Sequence, residues 1–150
     1  MAKKTLTFKQ AVEATPDVEN GYQKGLGAFG PYSNKINAAD KRLLNGSVDI
    51  DACTTVKYPN ANRWDYALAY NQKVFFVEVH SANTSQVSVV LRKLQWLKDW
   101  LNSDAPEIKK MRAQQPYYWI MSNNNRILRG SSQARQLSQA GLNPISRLNL

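Results

Sequence analysis

The sequence predicts a mixed α/β protein of the α+β kind, with a mixed central sheet flanked by helices. Three observations predict it. Between residues 47 and 81 the apolar residues recur at strand-like spacing in three stretches separated by short turns. A long segment from about 83 to 102 then carries apolar residues at spacings of three and four. A last apolar run, Tyr117-Tyr118-Trp119-Ile120-Met121, follows it. Tight turns pair the first three strands antiparallel, and the intervening helix permits a crossover that makes the fourth parallel.

The elements follow in order. Thr7-Phe8-Lys9-Gln10 has the form of a capping box opening a helix, which should end near Ala14 because Pro16 disfavours helical geometry at Thr15. A second helical stretch is expected over Asp17–Lys24, then a loop over Gly25–Pro31. A helical turn or two over Ala38–Leu44 should stop at Asn45-Gly46. From Ser47 the pattern alternates, placing Val48, Ile50 and Ala52 on one face of a strand and Asp49, Asp51 and Cys53 on the other. Arg63–Tyr70 reads as the second strand and Asn71-Gln72 as a turn. Lys73–Ser81 is apolar on both faces, which marks a central strand. Val87, Val90, Leu91, Leu94, Leu97 and Leu101 form the stripe of the long helix, with Arg92, Lys93, Trp96 and Asp99 away from it. Ser131–Ala140 is a basic helix ended by Gly141, and Asn143–Leu150 is an irregular tail.

A length of 150 residues favours one domain over 1–150. Its core is expected at about 47–122, with a helical N-terminal addition at 1–46 and a basic helix and tail at 123–150. Apolar residues make up 43% and charged residues 21%, the balance of a globular chain and not of a disordered one. The N-terminus lacks the apolar run of a secretory signal, and no stretch reaches the ~20 apolar residues of a membrane span. A cytoplasmic protein with no membrane partner is expected.

Twenty Lys and Arg against eleven Asp and Glu give a net charge of +9, unevenly spread. After Glu107 no acid remains, while Lys109, Lys110, Arg112, Arg126, Arg129, Arg135 and Arg147 follow. A concentrated positive field suits a polyanion, and interleaved Gln, Asn and Ser favour nucleic acid over a membrane surface. A basic solubilising surface has the same charge. Cys53 and His80 are the only residues of their types, so no zinc cluster of Cys and His and no internal disulfide can form. No third group by spacing supports a nucleophile–base pair between them. Gly25-x-Gly27-x-x-Gly30 has the letters of a dinucleotide-binding turn, but it follows a helical stretch where that chemistry needs a strand before and a helix after.

Glu78-Val79-His80, in the expected central strand, is the informative segment. Period two puts Glu78 and His80 on the face of Val74 and Phe76, where a carboxylate needs a partner. A turn at Asn71-Gln72 sets residues whose numbers sum to about 143 opposite one another, so Asp65 falls near Glu78. Two carboxylates this close repel unless a cation lies between them, and oxygen ligands suit Mg²⁺ or Mn²⁺. The same positions suit an Asp/Glu/His hydrogen-bonded cluster, or a salt bridge with Arg63 or Lys57.

The order helix, three strands, helix, strand, with Asp65 and Glu78-Val79-His80 in place, resembles the restriction endonuclease-like core of the PD-(D/E)XK nuclease superfamily. The resemblance covers roughly Val48 to Met121. It implies a divalent-metal-dependent nuclease acting on DNA in preference to RNA, with homodimers where both strands are cut. Asp65 and Glu78 would be the metal-holding acids, joined by the Val79 carbonyl and binding Mg²⁺ or Mn²⁺. The family's Lys is replaced by His80, and Lys93 on the following helix is the candidate for a relocated Lys, ahead of Lys57 and Lys73. The catalytic set implied is Asp65, Glu78, His80 and Lys93. Glu13, Glu19 or Asp51 would supply a further acid where relatives use one. Lys109, Lys110, Arg112, Arg126, Arg129 and Arg135 would hold flanking phosphates, and Trp96, Trp100 and Trp119 are either core or base-stacking residues. Two other classes fit the same residues: a catalytically inactive nucleic-acid-binding module on this fold, or a protein-interaction domain for an acidic partner.

Overall fold

A computed structural model describes residues 5–150. A mixed four-stranded sheet, flanked by helices, organises the chain. Its strands are β2 (Leu44–Asp49), β3 (Tyr66–Tyr70), β4 (Lys73–His80) and β5 (Arg112–Met121), hydrogen-bonded in that order. β2–β3 and β3–β4 are antiparallel, and β4–β5 is parallel across the helical crossover. A separate parallel ladder joins β1 (Ile36–Asn37) to β6 (Leu148–Asn149).

The hairpin β3–β4 turns on Asn71 and Gln72, both at positive φ (52° and 58°), a turn whose twist matches that of the strands. It fixes the register at Tyr66↔Val77 and Ala67↔Phe76, the sum of 143 expected from the turn. Side chains then alternate. Val74, Phe76, Ala67, Ala69 and Trp119 point to one apolar cluster, while Val77, Leu68 and Ile120 point to the other. On the first face lies α3 (Val87–Ser103), burying Val87, Val90, Leu94, Leu97, Trp100 and Leu101. Each such side chain contributes about 1.5–3 kcal/mol relative to exposure. The helices α1 (Phe8–Glu13), α4 (Pro106–Lys109) and α5 (Ser132–Ala140) complete this layer. The other face is covered by Phe29, Ile36 and Leu148. Among the described residues, no helix is long and apolar enough to cross a membrane.

The ends of α1 and α5 follow their sequence signals. Thr7 and Gln10 form the reciprocal capping box, and α5 is capped by Ser131 and ended by Gly141 in the left-handed conformation. Elsewhere the chain departs from expectation. Asp17–Lys24 forms only a short 3₁₀ turn at Pro16–Val18, and the glycine-containing loop continues as 3₁₀ structure over Gly27–Lys35 with a break at Gly30. The turn at Lys41–Leu43 does not stop at Asn45-Gly46, because both residues lie inside β2. The first strand does not run to Cys53. Asp49 ends it by accepting a 2.8 Å hydrogen bond from the Ala52 amide, capping α2 (Ile50–Thr54) and leaving Ala52 exposed. The second strand is paired only from Tyr66, and the fourth begins five residues earlier than Tyr117, at Arg112. The tail is not wholly irregular, since Ile145 bridges Ile120 and β6 pairs with β1.

Gly46 admits no side chain. Its φ is +144°, and a Cβ there would overlap the Tyr22 ring and lie 2.9 Å from the Gln23 carbonyl oxygen. Gly46→Ala is therefore expected to destabilise the fold by about 2 kcal/mol, read from urea unfolding midpoints. An unchanged midpoint would show that the Tyr22 contact yields freely.

Asp17 ties the N-terminal region to α3, accepting 3.0 Å hydrogen bonds from Trp100 Nε1 and Lys57 Nζ. Burial pushes its carboxyl up, but these donors outweigh it and hold the pKa below the ordinary value of 3.8. A depressed carboxylate contributes stability above its unfolded pKa, lost as pH falls through the folded one. The stability advantage of the native chain over Asp17→Asn should therefore be full at about pH 6 and shrink below about pH 4, in urea titrations at each pH.

Candidate active site

Asp65 immediately precedes β3, opposite Glu78 in β4. Its carbonyl accepts from the first two amides of α2, those of Ile50 (2.8 Å) and Asp51 (3.3 Å), which fixes the backbone there. The two acids then clasp each other through the backbone. The Asp65 amide donates to Glu78 Oε1, and the Val79 amide donates to Asp65 Oδ2, both at 3.1 Å. Each carboxylate thus keeps one oxygen for a shared third group, and that group is Lys93 on α3. Its ammonium hydrogen-bonds to Glu78 Oε2 and lies 3.3 Å from Asp65 Oδ1.

Lys93, which stands outside the aliphatic stripe and is the candidate for the relocated lysine, turns its side chain inward and is only 14% exposed. It stands three residues after Val90 and four before Leu97, so its stem follows the buried stripe while the ammonium reaches the acids. Glu78 is completely buried, and among the described residues no buried side-chain nitrogen or oxygen lacks a hydrogen-bond partner. Burial, and secondarily the charge of Glu78, pushes Asp65 up to about 7. Burial disfavours the Lys93 ammonium, but Glu78 and Asp65 outweigh it and raise its pKa.

His80 sits at the mouth of this cluster. Nδ1 is 3.4 Å from Glu78 Oε2, and Nε2 is 2.8 Å from Gln86 Oε1. The hydrogen bond to Glu78 raises the His80 pKa against the opposing effect of burial. Its backbone carbonyl accepts from Trp119 Nε1 at 3.0 Å, which anchors the strand end to β5. Gln86 was not singled out from the sequence; it closes a 3₁₀ turn just before α3, and no spacing rule marks it.

The other candidates lie elsewhere. Arg63 is taken by Asp51 at 2.7 Å and by the Tyr58 carbonyl, and Lys57 by Asp17, so neither neutralises the acidic pair. Lys73 is exposed at the start of β4, the far end from Glu78. Glu13 and Glu19 are exposed on the N-terminal segments. Cys53 is in α2, its thiol pushed up by burial and the Asp49 charge. Trp119 and Trp100 are buried and belong to the core, while half-buried Trp96 stacks on Trp100 at 5.8 Å. None of the three presents a free face for a base as a group.

The basic residues do not form one field. Arg126 and Arg129 lie on the segment between β5 and α5, where the Arg126 amide donates to the carbonyl of Ala82, just beyond the end of β4, at 2.7 Å. Arg135 is exposed on α5. Lys109, Lys110 and Arg112 sit at the opposite end of the sheet, since Arg112 pairs with Val74 and Trp119 with Glu78.

The donor set at Asp65 and Glu78 suits a hard divalent cation: both carboxylates converge, and each directs one oxygen at a positive charge, here the Lys93 ammonium. Mg²⁺ is commonly held by one or two carboxylates with water completing its shell. No group of three His, Cys, Asp or Glu side chains able to hold a metal occurs among the described residues. In comparisons with known proteins, the chain matches no family model, no curated protein and no solved structure.

Removing the ammonium leaves Glu78 buried without its cation. Lys93→Met is expected to destabilise the fold by about 3 kcal/mol, and adding Glu78→Gln to that variant should restore a large part of it. Urea unfolding of the wild type, both single variants and the double variant checks this; additive losses would show that the charges do not depend on one another.

Proposed function

We propose that this chain is a divalent-metal-dependent nuclease with a restriction endonuclease-like PD-(D/E)XK core, hydrolysing DNA phosphodiester bonds. The observation that carries the reading is the convergence of Asp65, Glu78 and Lys93 from β3's leading edge, β4 and α3 on one small volume. That convergence gives a use to the lysine that position 80 lacks.

Asp65, Glu78 and the Val79 carbonyl would hold Mg²⁺ or Mn²⁺. When bound, such an ion offsets phosphate charge and acidifies coordinated water. The chain's own groups would do the rest. Lys93 supplies a fixed positive charge at the carboxylate pair, beside which the phosphate's developing negative charge would lie. His80, held between Glu78 and Gln86, would position the attacking water, and would take its proton at Nε2 once the Gln86 side chain turns away from that nitrogen. In the hydrolysis, water oxygen bonds to phosphorus and the bond to one ester oxygen breaks, with the leaving oxygen taking a proton. Arg126 and Arg129 would hold the strand next to the scissile phosphate.

A second reading is favoured by one specific feature. The Lys93 ammonium already neutralises part of the acidic pair, which also suits an inactive module that retains the fold and binds nucleic acid without cutting.

Incubation with supercoiled, linear, single-stranded and branched DNA, with Mg²⁺, Mn²⁺ or EDTA, separates the two. The nuclease reading predicts metal-dependent cleavage that falls at least about 100-fold in Asp65→Asn and in Glu78→Gln, with gel retention preserved. Retention without cleavage under either metal would replace it with the binding module. Absence of both would remove nucleic acid as the partner.

A further inference from the structure

Cations at the end of the sheet opposite the acidic cluster line a cleft of about 650 Å³, formed where α4 and the end of α3 face the start of β5. Lys109 and Arg112 line it together with Lys110, Asn102, Gln114 and Tyr117. An adjoining recess of about 340 Å³ brings in Lys98. The local cause is an irregularity in β5. Between the pairs Val74↔Arg112 and Phe76↔Tyr117, β5 advances five residues while β4 advances two, so three additional residues of β5 bulge outward.

The charges in this cleft are largely uncompensated. Lys110 pairs with Glu107 at 3.0 Å. Lys109 instead contacts the neutral amide of Asn102, Arg112 donates to the Lys109 carbonyl at 3.1 Å, and Lys98 lies 5.3 Å from the centre of the Tyr117 ring. Among the described residues none of these three is paired with a carboxylate. Lys93, Arg63, Lys57 and Arg42 each have a carboxylate partner, and the cations that lack one elsewhere among the described residues, such as Lys9, Lys24 and Lys41, do not share a cleft with one another. Three like charges gathered on one concavity repel, and an anion entering it relieves that repulsion.

We propose that this cleft is a second nucleic-acid contact, holding the phosphates of a single strand at a distance from the acidic cluster. Four residues of β4 separate Val74, the partner of Arg112, from Glu78, about 13 Å at 3.3 Å per residue. Lys98, Lys109 and Arg112 contact phosphate oxygens, and the side-chain amides of Asn102 and Gln114 offer further donors. An acidic peptide suits the cleft less well. Its wall on β5 is a bulge containing Pro116, which has no N–H, so it offers a poor edge for an added peptide strand. The inference rests on the nucleic-acid reading above.

The test uses the full chain in EDTA with a fluorescein-labelled single-stranded DNA 20-mer, followed by anisotropy as salt is raised. The variant Lys98→Gln/Lys109→Gln/Arg112→Gln is compared with Lys9→Gln/Lys24→Gln/Lys41→Gln, which removes the same charge elsewhere. Thermal unfolding confirms that both are folded. The expected result is a loss of about tenfold or more in affinity for the cleft variant alone, with its log–log salt slope reduced by about 2, the value for three lost phosphate contacts on a single strand. Equal weakening of both variants, or of neither, would overturn the proposal while leaving metal-dependent cleavage to be judged separately. Displacement of the 20-mer by poly-glutamate at equal charge concentration would also overturn it, in favour of an acidic protein partner. Failure of the wild type to bind DNA at low salt would overturn both this proposal and the nucleic-acid reading.

Discussion

The interaction on which the rest depends is the ion cluster of Glu78, Asp65 and Lys93. A carboxylate placed in the middle of a sheet, beneath a helix and without water, is unfavourable by several kcal/mol unless its charge is met. Here the compensation comes from two other elements at once: a backbone amide at the edge of β3 and an ammonium on α3. The demand is geometric as well as energetic. A one-residue slip of β4 against β3 would turn Glu78 toward the cluster of Phe29, Leu68, Val77 and Ile120, which contains no cation. A rotation of α3 by one position would withdraw Lys93. The cluster thereby couples the register of the hairpin to the orientation of the helix, and the apolar packing that surrounds it is obliged to agree with both.

The same accounting explains where the protein is positively charged. Several of its acids are engaged in capping and ion-pairing. Asp49 caps α2, Asp51 holds Arg63, Asp17 links Lys57 to Trp100, and Asp40 caps a 3₁₀ turn while binding Arg42. Among the described residues, the cations without a carboxylate partner are spread over the N-terminal segments, both ends of the sheet and α5, and three of them, Lys98, Lys109 and Arg112, share one concavity.

Much of this architecture was legible in the sequence because it depends on local signals. Thr7 and Gln10 form their capping box from residues three apart, and Asn71-Gln72 sets a two-residue turn from which the pairing of Asp65 with Glu78 follows by counting. The end of β2 was misjudged because Asp49 alternates correctly for a strand, yet its side chain bonds forward to Ala52 and starts a helix. The β1–β6 ladder was illegible: two residues near position 36 pair with two near position 148, and no short-range pattern records such a contact. At the site, the two acids and His80 were found by period and register. Lys93 is legible as a candidate but its direction is not, since a stripe traced through aliphatic residues alone leaves it to one side. Its spacing to Val90 and Leu97 carries the missing signal.

The presence of a histidine at position 80 and a lysine at position 93 has a physical consequence for the nuclease reading. A lysine at position 80 would approach Glu78 from the same strand, on a side chain with little support from the core. From α3 the ammonium arrives on a side chain that is only 14% exposed and stands at helical spacing from buried Val90 and Leu97, so its position is defined by the helix. The strand position is then released for an imidazole, which can accept as well as donate, and Gln86 and Glu78 hold that ring at both nitrogens. Under the nuclease reading, fixed charge and proton acceptance, two duties that one lysine performs poorly because its ordinary pKa lies near 10.4, would fall to separate residues on separate elements. On that reading the histidine of Glu78-Val79-His80 would not have to replace a lysine's charge, because α3 places an ammonium at the same carboxylates.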